Sequence, residues 1–479
     1  MKLKSNSFVL GTAAVAAMLM LVSISTAQIQ QSDRDDLIFH RAPKPLPIGA
    51  VTHDWVSFLG PTHNAVSTET KLQKKFPVGG PKLVWELIKG EGYTSPAIQG
   101  DKLVYFDRHE DMLRVRCIHP ETGAFHWVFR YATDYRDRYG YSNGPRCSPL
   151  IDGDWVYTYG VKGKLHCLNL NTGKVRWMRD LNKDFNIKQA FFGVSATPLV
   201  EGDLLIINVG TPGDDACVVG INKNTGQTVW QANDEWGASY ASPTPGVIHG
   251  ERRVFVFAGG ESRPPVGGLL SVNPANGKVD FRVPWRSEKY ESVNAACPVV
   301  IGNQVFISAS YKTGGALIDI QPDFSHKVAW TSDDLGTHWS TTVHDDGYLY
   351  GFDGRHEHTS SLVCLELATK KVMWRESLEW EDEIRRGGEA RKIRMSTARG
   401  SLLKVDGHYL CLGEYGHLLW LDLTPKGVKI LDRSWLFTAQ QTWALPVLSR
   451  GLVYISQNER DLVTRRQPRL QCYDLRASE

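Results

Sequence analysis

The chain has 479 residues, long enough to bury a sizeable core, and its 55 basic and 52 acidic side chains leave a formal net charge of +3. That near-balance carries none of the electrostatic footprint of a nucleic-acid binder, so DNA and RNA are excluded as partners. Fifteen Trp and 44 Gly give an aromatic-rich, turn-rich composition, which favours many short strands over long helices.

In chain order, Lys2 and Lys4 precede an apolar run from Phe8 to about Val22 and the small residues Ser25-Thr26-Ala27. This pattern is a secretory signal peptide over residues 1–27, cut before Gln28; a retained membrane anchor is the competing reading of a run short of the ~18 residues of a span. No Cys stands at the cleavage point to take a lipid, and no other stretch is apolar enough to cross a bilayer. Residues 28–54, with Arg41-Ala-Pro43-Lys-Pro45-Leu-Pro47, form a Pro-rich linker, and the single folded domain spans 55–479.

Within that domain one phrase recurs, Cys167-Leu-Asn-Leu-Asn-Thr172-Gly173-Lys-Val-Arg-Trp177. Cys167 to Leu170 alternates like a half-buried strand, Asn171-Thr172-Gly173 is a turn in which Gly173 supplies positive φ, and Val175 to Trp177 begins the next strand. Variants run from Cys117 to Trp127, Gly220 to Trp230, Ser271 to Phe281 and Cys364 to Trp374, with degenerate copies before Trp330 and after Trp420. Most are preceded by a Gly-Asp, Gly-Asn or Asp-Gly turn and, further upstream, by a recurring Pro register at 96, 149, 198, 243, 298, 342, 402 and 446, where Thr342 and Leu402 replace the Pro. The steps are 53, 49, 45, 55, 44, 60 and 44 residues, the period of a propeller blade of three or four strands.

The ends of the chain decide how many blades there are. The last unit stops at Cys472-Tyr-Asp474-Leu475 without its turn and Trp strand, while Gly80-Pro81-Lys-Leu-Val-Trp85 stands near the start without a unit of its own. Joining them makes an all-β, eight-bladed propeller of four-stranded antiparallel blades, closed by an N-terminal strand around Leu83 to Trp85, with few exposed edges. A parallel β-helix, the rival architecture, has shorter repeats and no reason for complementary half-units.

Eight Cys in an exported chain invite a disulfide reading. Cys117, Cys167, Cys364 and Cys472 all take the first position of the phrase, and Cys147 and Cys297 share a register beside the recurring Pro. Equivalent positions in separate blades lie too far apart for a bridge, so small, buried, unpaired cysteines are expected.

The spacing Thr-Gly-x-x-x-Trp at 122–127, 172–177 and 225–230 resembles the tryptophan-docking motif, Ala-x-Asp-x-x-Thr-Gly-x-x-x-Trp, of the pyrroloquinoline-quinone (PQQ) type eight-bladed propellers. The likeness covers about residues 80–475; position one is Cys or another residue rather than Ala, and position three is His119, Asn169, Asn222, Asn273 or Glu366 rather than Asp. It implies that Trp85, Trp127, Trp177, Trp230, Phe281, Trp330 and Trp374 are docking residues, each between a turn of its own blade and the small first-position residue of a neighbour. The family has two branches. One holds quinoprotein alcohol dehydrogenases, with PQQ and calcium at the axis, an Asp base and a ring of two adjacent Cys; the other holds non-catalytic propellers such as the lipoprotein that assists outer-membrane-protein assembly. No two Cys here are adjacent, and no calcium ligand or base can be carried over.

The segments before the Pro positions enter the innermost strands and line one mouth of the channel. The candidate binding residues there are Tyr93, Asn143, Arg146, Phe192, Tyr240, Asn294, His338, Trp339, Arg394, Arg399 and Trp443, with Ser195 and Ala295 in the same register. Aromatic and Arg side chains combine contact area with polar edges and suit a protein or saccharide partner; the competing reading is that they fill the channel. Arg355-His356-Glu357-His358 is a hairpin tip with too few ligands for a metal. Glu376 to Arg394 is a charged insertion, a short surface helix or a loop. The sequence reading is therefore an exported, periplasmic or extracellular, monomeric and non-catalytic binding or scaffolding propeller without cofactor or metal. The alternative is a PQQ- and calcium-dependent alcohol or sugar dehydrogenase.

Overall fold

The computed structural model describes residues 28–478 apart from 188–189, 211–215, 357 and 387–388. The signal peptide over 1–27 lies outside the described residues. Eight antiparallel sheets of four or five strands make up a propeller, and a separate two-stranded hairpin projects from it.

The second blade shows why the repeating phrase folds as it does. Its strands are Leu150–Asp152, Trp155–Tyr159, Lys164–Asn169 and Val175–Asp180, hydrogen-bonded in that order. Between the last two, Asn169 Oδ1 accepts the backbone N–H groups of Asn171 and Thr172 at 3.2 and 3.0 Å, and Gly173 N–H bonds the Asn169 carbonyl at 2.8 Å. Gly173 has φ +68°, which a Cβ would strain. An amide oxygen does the work of the carboxylate at position three, and Asn222 repeats it for Asn224 and Thr225 at 3.0 Å each.

Ring closure follows the half-unit argument. Lys82–Ile88 pairs antiparallel with Arg469–Asp474, setting Leu83 opposite Tyr473 and Trp85 opposite Cys472. A further strand, Leu37–Phe39, then pairs with Lys82–Ile88 on its outer side, so this blade has five strands.

The residues after the Pro-rich lead are tied to the propeller along their length. Trp55 exchanges two backbone hydrogen bonds with Ile98 of the first blade, at 2.9 and 2.7 Å, and the Val56 carbonyl accepts from Ile151 of the second. Lys404 of the seventh blade bonds both Ala65 and Ser67, and Gln73 N–H reaches the Leu475 carbonyl of the eighth. Buried Glu69 locks the crossing: its carboxylate accepts the N–H groups of His53, Arg450 and Gly451 at 2.9, 2.6 and 2.8 Å. Ile98, Ile151 and Lys404 lie on the innermost strands of their blades, Arg450 and Gly451 follow the innermost strand Val447–Ser449, and Leu475 follows Arg469–Asp474, so the strap from 55 to 73 is tied to blades one, two, seven and eight.

The docking geometry reverses the expected assignment. Each aromatic lies directly across the ladder from the first-position residue of its own blade: Trp127 opposite Cys117, Trp177 opposite Cys167, Trp230 opposite Gly220, Phe281 opposite Ser271, and Trp374 opposite Cys364. The turn it touches belongs to the next blade. Trp127 Nε1 donates to the Leu170 carbonyl at 2.7 Å, Trp177 to Lys223 at 3.0 Å, Trp230 to Pro274 at 2.9 Å, Trp330 to Leu367 at 2.9 Å, Trp374 to Thr424 at 2.7 Å, and Trp85 to Pro120 at 2.7 Å. Small first-position residues are needed because the ring lies over them; a Cβ on Gly220 would come within 2.3 Å of Trp230. Leu317 opposite Trp330 is the large exception. Phe281 lacks the indole donor and stacks on His326 at 4.7 Å.

All eight Cys are buried and free of disulfides. Burial pushes the Cys167 thiol up to about 12 and that of Cys364 up to about 11, so both are protonated packing groups. The charged insertion is neither helix nor loop but a β-hairpin, Glu379–Arg386 with Glu389–Ser396. Its base is fixed to the seventh blade: Asp382 accepts from Trp380 Nε1 at 2.6 Å and Arg433 at 3.0 Å and bonds His417 Nε2 at 2.8 Å. Among the described residues no helix is long and apolar enough to cross a membrane.

Candidate functional site: the aromatic mouth

The connections that enter the innermost strands bring most of the expected residues into one cluster. Trp443 is its hub, with ring centroids of Tyr93 at 5.1 Å, Tyr141 at 5.8 Å and Trp339 at 6.4 Å. Tyr141 meets Phe192 edge-on at 5.4 Å, and Phe192 continues to Tyr240 at 5.5 Å, whose hydroxyl accepts the Phe192 N–H at 3.0 Å. Contacts of this kind add to area burial through the ring quadrupoles.

Two arginines set the polar frame. Arg146 lies over Tyr93, Tyr135 and Phe192 at 5.5 to 5.9 Å and pairs with fully buried Asp137 at 2.8 Å. Arg399 pairs with buried Glu414, donates to the Arg355 carbonyl at 2.7 Å and lies 5.5 Å from the Trp443 ring. Glu414 also accepts from Trp443 Nε1 at 2.7 Å. Arg399 additionally meets His338 Nδ1 at 3.3 Å, while Tyr311 meets Nε2 at 3.1 Å. A guanidinium only donates, so Nδ1 carries the lone pair and Nε2–H donates to the tyrosine oxygen. Burial, reinforced by Arg399, holds His338 down at about 3, which keeps this neutral bridge intact.

The remaining expected residues divide. Asn143 is part of the frame: its Oδ1 accepts Asp137 N–H at 2.8 Å and its amide donates to Glu91 at 3.0 Å. Asn294 is a staple for the backbone, donating to the Ala258 and Trp285 carbonyls at 2.9 and 3.0 Å. Arg394 stands apart; it lies on the outer hairpin, 78% exposed, and pairs with Glu379. Asp137, Tyr139, Tyr141, Glu414 and Tyr311 are not among the residues that the sequence points to. They sit in connections and hairpin tips outside the Pro register, and only the cluster Tyr139-Gly-Tyr141 ahead of Arg146 was a signal.

Asp137 is the organiser. While Oδ2 holds Arg146, Oδ1 accepts the N–H groups of Tyr139 and Tyr141 at 2.9 and 3.1 Å. Those two rings are 48% and 40% exposed, so a carboxylate-pinned turn presents a pair of large aromatics to solvent at the rim. Tyr139 is backed by Phe191 and Phe192, at 5.8 and 5.6 Å.

This arrangement can stack and hydrogen-bond. The carboxylates of Asp137, Glu414 and Glu261 are each neutralised by an Arg. The cysteines are all separate, and the rings of Tyr93, Tyr141 and Trp339 stand tilted around Trp443. Among the described residues no three His, Cys, Asp or Glu side chains converge on a metal position. Arg355 instead lies 4.5 Å from the Tyr311 ring, so the hairpin tip it begins belongs to the mouth.

Comparison with known proteins gives four likenesses. Residues 111–376 match a family profile described as outer membrane protein assembly factor BamB. A stretch of 156 residues is 28% identical to the quinoprotein alcohol dehydrogenase PedH of Pseudomonas putida; it covers 32% of this chain and 24% of that relative. The crystal structure of BamB from Moraxella catarrhalis superposes with a TM-score of 0.53 at 14% identity, covering 83% of this chain and 98% of that one. Quinohemoprotein alcohol dehydrogenase from Comamonas testosteroni superposes with a TM-score of 0.60 at 12% identity, covering 89% and 81%. At such identities the solved structures establish the fold alone.

Proposed function

Because the chain belongs to the family of the outer membrane protein assembly factor BamB, whose profile matches more than half of it, we propose that it is an exported, non-catalytic propeller that docks a protein partner at its mouth in the cell envelope. The observation that carries this reading is the exposed pair Tyr139 and Tyr141 on a turn held by Asp137. Tyrosines lose little side-chain entropy on binding and dominate interface energetics when pre-organised, which is what the buried Asp137–Arg146 pair provides. The protein acts as a monomer and scaffold, with the mouth as its docking face.

A tagged full-length chain, purified from envelope fractions beside a Tyr139→Ser/Tyr141→Ser variant, tests it. A stoichiometric protein partner retained by the wild type and lost from the folded variant is the expected result; equal retention by both contradicts the reading. The second reading, a PQQ- and calcium-dependent dehydrogenase, rests on the stretch shared with PedH. It is weakened by the pairing of Asp137 and Glu414 with arginines, which occupies two of the carboxylates of the mouth.

A further inference from the structure

Where blade one meets blade eight, away from the mouth, three arginines of blade one line a groove. Arg114 and Arg116 come from strand Met112–Ile118 and Arg130 from Phe125–Ala132, with Arg114 directly opposite Arg130 in the ladder. Arg116 reaches the Ile88 carbonyl of blade eight at 3.1 Å. The side chains of Arg116 and Arg114 are 0% and 7% exposed, and within the propeller body both pair with Asp107, at 2.6 and 2.9 Å. Two buried guanidiniums that share one carboxylate are poorly compensated, so the groove favours further acidic groups.

The chain's own N-terminal arm, residues 28–40, supplies them. Asp33, on the helical turn Gln31–Asp35, pairs with Arg130 and stands 3.9 Å from Arg114; Asp36 stands 3.6 Å from both Arg114 and Arg116. Leu37–Phe39 then adds to the outer edge of Lys82–Ile88, and Ile88 N–H donates to the Asp36 carbonyl at 2.9 Å. The fit is loose. A charge-assisted hydrogen bond spans about 2.7–2.9 Å, shorter than any approach of Asp36 to the two guanidiniums, and Asp33 Oδ1 is buried without a hydrogen-bond partner. The strand is three residues long, and its Ile38 and Phe39 remain 42% and 50% exposed. Leu37 is its apolar anchor, lying so close to the Gly123 turn that a Cβ there would come within 2.4 Å of it.

We infer that this groove docks an acidic, extended segment of a partner protein, two carboxylates three residues apart followed by a short apolar strand, and that the arm occupies it in cis as an exchangeable copy of that ligand. Strand addition at the outer edge of Lys82–Ile88 supplies backbone bonds to any sequence, while the arginines select the carboxylates. On the signal-peptide reading of residues 1–27 the arm begins at a free end, so it can leave and return without unthreading. Behind it Lys44 N–H is held by Asp474 Oδ2 at 2.8 Å, so the displaced arm competes at the effective concentration of a short tether, in the mM range. A partner segment therefore displaces it by meeting the arginines more closely. The site shares no residue with the Trp443 hub or the Tyr139 and Tyr141 turn, so it stands or falls apart from docking at the mouth.

The test uses the full chain and, as probe, a fluorescent peptide copying residues 28–40, read by anisotropy. Asp33→Asn/Asp36→Asn in the protein loosens the arm and should let the probe bind about tenfold or more tighter than to wild type, whose arm competes. Neutralising the same two positions in the probe, or adding Arg130→Gln to the loosened protein, should weaken binding about tenfold or more. A second probe, with Ser or Gly everywhere except Asp33, Asp36 and Leu37–Phe39, should bind like the first. Thermal melts establish folding, and Leu37→Ser, which loosens the arm without touching its charges, takes the place of the double variant should that unfold. No binding to either loosened protein, equal binding of the neutralised probe, or failure of the second probe overturns the proposal.

Discussion

Trp127 donates its indole N–H to the carbonyl of Leu170 in the following blade at 2.7 Å, and Cys117 Sγ lies 4.0 Å from the same oxygen. One carbonyl thus gathers the Trp and the Cys that face each other across the ladder of the preceding blade. The eighth blade repeats it, where Pro120 receives Trp85 Nε1 at 2.7 Å and stands 3.9 Å from Cys472 Sγ. The docking bond therefore runs forward from six of the eight blades to the next, including across the joint made by the two ends of the chain.

Replacing one docking ring should measure this joint. Trp127→Ala is expected to cost about 3–5 kcal/mol, the scale for emptying a buried aromatic site. Trp127→Phe should cost less, about 1–3 kcal/mol, chiefly for the stranded Leu170 carbonyl, since Phe281 already serves at the equivalent place in blade four. Urea denaturation monitored by circular dichroism reads both; a Trp127→Phe cost near zero would show that the indole donor contributes nothing.

Closure makes a second prediction. Deleting residues 28–85 removes most of the strand that pairs with Arg469–Asp474 together with the strap anchored by Glu69, and should give an aggregating chain with an open sheet edge. Deleting 28–40 removes only the outer strand Leu37–Phe39 and its helical turn Gln31–Asp35, and should leave a soluble ring of lower melting temperature. Size-exclusion chromatography separates the outcomes; a monodisperse 86–479 fragment would contradict the closure.

How far the sequence could be read follows from which interactions are local. The phrase around Asn169 and Gly173 folds through bonds within five residues, so its spacing announced the blade, and the orphan strand at Trp85 announced the joint. Residues 55–73 carry no such signal, because their partners Ile98, Lys404 and Leu475 are set by the ring itself. The insertion after Glu376 has the alternation of a hairpin only once Asp382 is placed against His417 and Arg433. At the mouth, register located Tyr93, Arg146, Arg399 and Trp443, but not Asp137 or Glu414, whose side chains come from a long connection and a hairpin tip. The docking Trp was recognised while its direction was inverted, since the spacing is the same whichever neighbouring turn the ring meets.

Acid should destabilise the protein from neutral pH downward. Burial holds His417 down at about 4, and His166, packed 4.4 Å from the Tyr131 ring centroid, down at about 3, as it does His338. Between the ordinary histidine value near 6.5 and these lowered values the unfolded chain takes up protons that the folded chain refuses, so stability falls as pH falls through that window. Below about 4 a second loss begins. Arg114 and Arg116 hold the Asp107 carboxyl, at 2.9 and 2.6 Å, well below the usual range despite its burial, and the stability this gives is lost as pH drops toward its folded value. Melting temperatures from pH 7.5 to 4.5 should decline steadily, and His166→Phe should flatten the decline; a flat wild-type profile would argue that these histidines are protonated in the fold.

The claim that the mouth binds without catalysing is tested most directly by supplying the dehydrogenase cofactors. Purified full-length protein incubated with PQQ and calcium should reduce no dye with simple alcohols or aldose sugars, because Asp137 and Glu414 are committed to Arg146 and Arg399. Saturable dye reduction that needs both cofactors and is lost on Trp443→Ala would contradict the account.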